Sequence, residues 1–217
     1  MTPTTAAGAL LVSSALSLAV AFAIVGYVPQ FARDAETLTA ERLSTLTAHR
    51  AAWRALMGFF MGAVVLTACG LALLAIALAE VGDRVLAPLG LALYAIAAPL
   101  FIGALAFQFS VTLWSSGGVD RGPMRPELFH PVERASAAIV GVYMVVAFSS
   151  LAVFGAAITI HAVIPSWLGW SAAIFGVAGA ISYLIQRPKV GRLVISDLPL
   201  WIQVWSLVVG VALLVNG

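Results

Sequence analysis

Hydrophobic residues make up 62% of this 217-residue chain and charged residues only 9%. No soluble domain of that size has interior enough for so much apolar surface, so the bilayer is the solvent that the composition demands. The net charge of +2 is spread over short connecting segments rather than gathered in one patch, which argues against a nucleic-acid surface.

A spanning helix takes about 20 mostly apolar residues, and six such runs follow one another: Ala6 to Val28, Trp53 to Ala79, Val85 to Leu113, Ala135 to His161, Trp167 to Ile185 and Leu198 to Val215. The expected fold is therefore an all-α, six-transmembrane-helix bundle forming a single integral membrane domain. The first run has no basic lead-in and is too long for a secretory signal, so it reads as a retained span. Between runs one and two, no Pro or Gly interrupts Phe31 to Met57, and charges recur there at helical spacing. Helix two should thus begin well outside the membrane. Glu80 to Arg84 and Ala162 to Ser166 are short enough to force antiparallel neighbours. Pro88 suits the first turn of helix three, while Pro99 falls in its middle and predicts a kink. The segment Ser115 to Pro131, rich in Gly and Pro, reads as a long loop.

Of the eleven Lys and Arg residues, only Arg84 falls in a connection on the opposite side from the rest. Basic residues are retained on the cytoplasmic side, so both termini are expected on the outer face. The preference for Arg over Lys, with abundant Ala and Gly, points to a GC-rich bacterial genome and hence a bacterial cytoplasmic (inner) membrane. Trp53, Trp114 and Trp201 fall near expected inner boundaries, and Trp167 and Trp170 near an outer one, as interfacial anchors do. Small-residue steps occur at Gly58 and Gly62 in helix two and at Ala172, Gly176 and Ala180 in helix five. These allow close backbone approach, with contacts inside the chain favoured over a dimer interface.

Polar residues within the spans carry the functional signal, because unpaired polar groups in hydrocarbon are costly. Helix four places Ser136, Tyr143, Ser150, Ala157 and His161 on one stripe; helix three lines up Tyr94, Phe101, Gln108 and Thr112. Gln108, Tyr143, Ser182 and Gln203, from four helices, fall in the expected cytoplasmic half and make a candidate ligand-binding pocket. The plainer alternative is that each satisfies a nearby backbone carbonyl. No span has an acid or a base near its middle, which argues against a proton pump, a voltage sensor or a Schiff-base photoreceptor.

His130 and Glu133, at the start of helix four, are the candidate catalytic pair: a general base beside Arg121, Arg125, Arg187, Lys189 and Arg192. Those five basic residues equally suit anionic lipid headgroups. The competing reading of His130 to Arg134 is an ordinary helix entrance with an acid in its first turn. Cys69 is the single cysteine and the three histidines are scattered, so no metal site, haem or other cofactor is expected.

Ile164-Pro165-Ser166-Trp167-Leu168-Gly169-Trp170 entering a Gly/Ala-rich helix, and Leu198-Pro199-Leu200 entering the last span, resemble a family of bacterial six-helix membrane proteins known only as a domain of unknown function. That resemblance implies the fold and assigns no site. The sequence thus favours a non-enzymatic small-molecule or lipid-binding module, or a subunit of a larger membrane complex, with membrane lipids and membrane-protein subunits as partners. An interfacial enzyme acting on a phosphorylated lipid, and a facilitative transporter, are the alternatives.

Overall fold

The computed structural model describes residues 2–27, 48–115, 129–185 and 191–216, and for residues 108, 111–115, 129–134, 191–201 it describes the backbone alone. It contains six helices: α1 Pro3–Tyr27, α2 Arg50–Glu80, α3 Leu86–Ser115, α4 Phe129–His161, α5 Ser166–Ile185 and α6 Gly191–Asn216. Among the described residues there is no strand. Five helices are long and apolar enough to cross a membrane; the apolar part of α6, Ile202–Asn216, is shorter. Helix α6 begins at Gly191, earlier than the apolar run from Leu198 suggested, because a helix continues wherever its backbone bonds are made and apolarity marks only the part in lipid. Most of the expected extension of helix two lies outside the described residues.

Successive helices from α1 to α5 pack against one another, α6 returns to pack along α1, and α5 meets α6 only narrowly. The result is a ring. Large apolar side chains are exposed around its whole outer surface, such as Leu16, Val65, Ile96, Val142, Ile174 and Val211 on α1 to α6 in turn. In water so broad an apolar girdle would drive association; against acyl chains it is the ordinary exterior of a membrane bundle. The core lies inside the ring, with Leu11, Leu74, Leu78, Phe148, Phe154, Val209 and Leu213 sealed from the surface.

Two seams are held by backbone contact. Along α4 and α5, Gly155, Gly169 and Gly176 have no room for a side chain; a Cβ on Gly176 would stand 2.6 Å from the Phe148 carbonyl oxygen. Ala172 and Ala180 are buried on the same face of α5, so this small-residue stripe is spent within the chain. Between α1 and α6 the pairing of Gly8 with Gly210 does the same, a Cβ on either meeting the other's carbonyl oxygen at 2.7 and 2.9 Å. In α2 the two glycines part company: Gly62 faces the Ser17 hydroxyl on α1, whereas Gly58 faces open space.

The short connections are built as the sequence led us to expect. Gly82 takes a φ of +103° in the turn after α2. The buried carboxylate of Asp83 then accepts from the backbone N–H of Val85, Leu86 and Ala87 at 3.1, 2.9 and 2.9 Å, capping the first turn of α3. At the end of α4, Ala162 adopts a φ of +51° and its N–H reaches the Ile158 carbonyl at 2.9 Å, a left-handed helix stop made without glycine. Helix α3 runs unbroken through Pro99. Trp167 and Trp170 are 62% and 60% exposed at the start of α5. Trp53, 4% exposed, packs with Ala21, Leu56, Met57 and Leu105 near the start of α2.

Candidate functional site

The polar residues of five helices converge near the middle of the ring. Ser14 on α1 lies with its Oγ 2.6 Å from Thr67 Oγ1 on α2, 2.8 Å from the Ala63 carbonyl oxygen and 3.1 Å from Gln203 Oε1 on α6. Thr67 Oγ1 is also 2.9 Å from the Ala63 oxygen of its own preceding turn. Ser14 and Thr67 are buried, and Gln203 is half-buried. Ser14 and Thr67 sit near the centres of their helices, where a buried hydroxyl must find a protein partner.

The fourth and fifth contributors are tyrosines. Tyr94 of α3 is 2% exposed, and its Oη meets no group in hydrogen-bond geometry. The hydroxyls of Thr67 and Tyr143 lie near enough to interact with it electrostatically, but neither reaches it at bonding distance and angle. Tyr143 of α4 is 5% exposed. Its ring packs on Phe101 of α3 with centroids 4.5 Å apart and planes tilted by 36°.

Beside this cluster lies a cavity of about 50 Å³ lined by Tyr143, Gln203, Met144, Phe101, Phe22 and Phe60, with aliphatic neighbours from α1, α2 and α6. Phe22 and Phe60 close one wall edge to face, with centroids 6.1 Å apart. One water needs about 10–15 Å³ of such space, and a cavity of about 150 Å³ takes a benzene ring. The volume here lies between the two. The lining is apolar apart from a phenol and an amide, and contains no charge.

Of the four residues expected to form a pocket, Tyr143 and Gln203 do line one cavity. Ser182 stands elsewhere and donates to the Ala178 carbonyl of its own helix at 2.7 Å, the local satisfaction open to any serine in a helix. Gln108 is placed on α3 by its backbone alone. So are His130 and Glu133 on the first turns of α4, and Arg192 on α6. Arg121, Arg125, Arg187 and Lys189 lie outside the described residues. Of the helix-four stripe, Ser136, Tyr143, Ser150 and Ala157 are buried and His161 is half-buried, and Ser150 donates to the Gly90 carbonyl on α3 at 2.7 Å.

Ser14 and Thr67 were not singled out by the sequence reading. The signal was present, since Thr67 interrupts an apolar stretch of α2 and Ser14 a similar one of α1, but a search confined to the cytoplasmic half of the spans passes over residues at mid-depth. Among the described residues no group of His, Cys, Asp and Glu is placed to hold a metal ion. Comparison with protein-family models, with curated proteins and with solved structures gave no match to this chain.

Proposed function

We propose that this chain is a non-enzymatic, multi-pass protein of the bacterial cytoplasmic membrane, with six spans and both termini outside, that binds a small uncharged molecule in the middle of its helix ring. The observation that carries the reading is that Tyr143 and Gln203, from α4 and α6, line one cavity next to a cluster of buried hydroxyls. A bundle needing only packing fills such a space with apolar side chains, because a buried polar group must be satisfied or it costs about 1–3 kcal/mol. An uncharged lining suits an uncharged guest, since an ion in hydrocarbon requires a counter-charge. The guest shares the bundle with lipids around the girdle and with any partner subunit that docks there.

The test is mass spectrometry of whatever purified protein releases on denaturation, volatile fraction included, with Tyr143→Phe and Gln203→Met compared in parallel. A compound carried by the wild type and lost from both variants supports binding in this cavity. Identical extracts from all three proteins leave a structural scaffold.

A further inference from the structure

The cavity is polarised by its neighbours, and the polarity follows from counting protons. Ser14 and Thr67 have one hydroxyl proton each, and the 2.6 Å contact between their oxygens must hold one of the two. If Ser14 donated it to Thr67, the Gln203 carbonyl oxygen at 3.1 Å would receive nothing from Ser14. If Thr67 donates to Ser14, the Ser14 proton is free for Gln203 Oε1. The only group that loses is the Ala63 carbonyl, which already accepts a backbone N–H within its helix. With Gln203 Oε1 turned toward Ser14, the arrangement that gives it a proton runs from Thr67 to Ser14 to Gln203.

The consequence falls on the other end of the amide. With Oε1 engaged, Gln203 keeps its Nε2 protons, and no described protein group accepts them. Gln203 also lines the cavity. We infer that the cavity selects a small neutral hydrogen-bond acceptor, a ketone, ether or alcohol of a few heavy atoms, whose oxygen takes the Gln203 amide N–H while its carbon atoms lie against Phe22, Phe60 and Phe101. Ser14 is the positioning residue: its hydroxyl fixes which end of the amide faces the guest. This rests on the binding role proposed above and names the chemistry of the ligand.

The experiment uses the full chain in lipid nanodiscs, with the Met144 ε-methyl, which lines the cavity, observed by methyl NMR. Acetone is the acceptor probe, propane the apolar one and ethylammonium the cationic donor. Acetone should shift the Met144 signal saturably, with propane and ethylammonium weaker. Gln203→Met, which keeps the length of the side chain and removes the donor, should weaken acetone about tenfold, the worth of one well-placed hydrogen bond. Ser14→Ala frees the amide to turn over and should erode the preference for acetone. If propane binds as well as acetone, or if Gln203→Met changes nothing, the acceptor rule is wrong and a non-selective cavity remains. If no solute produces a saturable shift, the binding role itself falls with it.

Discussion

Gly176→Ala isolates the backbone seam between α4 and α5. The added methyl would stand 2.6 Å from the Phe148 carbonyl oxygen and 2.7 Å from Ala152 Cα, both main-chain atoms that no rotamer change can move. The Ala152 backbone nitrogen is nearer still, so reaching ordinary contact requires the two helices to part by roughly 1 Å, and a gap of about 0.5–1 Å forfeits a quarter to a half of each dispersion contact across a seam. Overpacking of this kind costs about 1–3 kcal/mol. The opposing gain is small: Ala is a better helix former than Gly by about 1 kcal/mol in water, but in a bilayer the helices are formed before they pack, so little of that difference reaches the unfolded reference. Gly58→Ala is the matched control, since its Cβ would meet nothing within 4 Å. In a reversible SDS titration in mixed micelles followed by tryptophan fluorescence, Gly176→Ala should unfold earlier than Gly58→Ala by about 1–3 kcal/mol. Equal stability of the two variants would refute the claim that this seam is held by backbone contact.

Ser14→Ala should destabilise the bundle by about 1 kcal/mol in the same titration, since interhelical hydrogen bonds in membranes average about 0.6 kcal/mol and Thr67 and Gln203 would both lose a partner. Ala162→Gly should stabilise by about 1 kcal/mol, because its left-handed backbone strains any residue with a Cβ; an unchanged midpoint would contradict that. In a Cys69→Ser background, membrane-impermeant maleimide applied from outside should label cysteines placed at Ser166 and Asn216 and miss those at Ser116 and Gly191. Labelling at Ser116 would invert the orientation inferred from the basic residues.

The helices were legible in the sequence because hydropathy over about 20 residues is a property of each segment alone. The turn at Glu80 to Arg84 and the stop before Ser166 were legible for the same local reason. What the sequence obscured is what depends on how helices are turned toward one another. Trp53 looks like a boundary residue from its position, yet the packing of α1 and α3 against α2 buries it. Ser182 and Gln203 look alike as polar residues in lipid, yet one turns to its own backbone and the other to the ring's centre. Ser14 and Thr67 lie far apart in the chain and have no shared motif; only the pairing of α1 with α2 brings their oxygens together. The phosphate-site reading of His130 and Glu133 depends on arginines and a lysine from two separate segments, and no local pattern fixes how segments so far apart meet.

The pairing of Gly8 with Gly210 joins α1 to α6, the first of the six helices to be synthesised and the last. Until α6 is in place, α1 packs chiefly on α2, and the partner that Ser14 finds in Gln203 does not yet exist. During biosynthesis there is therefore an open arc of five helices, with the flank of α1 that α6 will cover still bare. A chain stalled or cut before α6 would keep that flank exposed. That bare flank is what separates an unfinished bundle from a closed one.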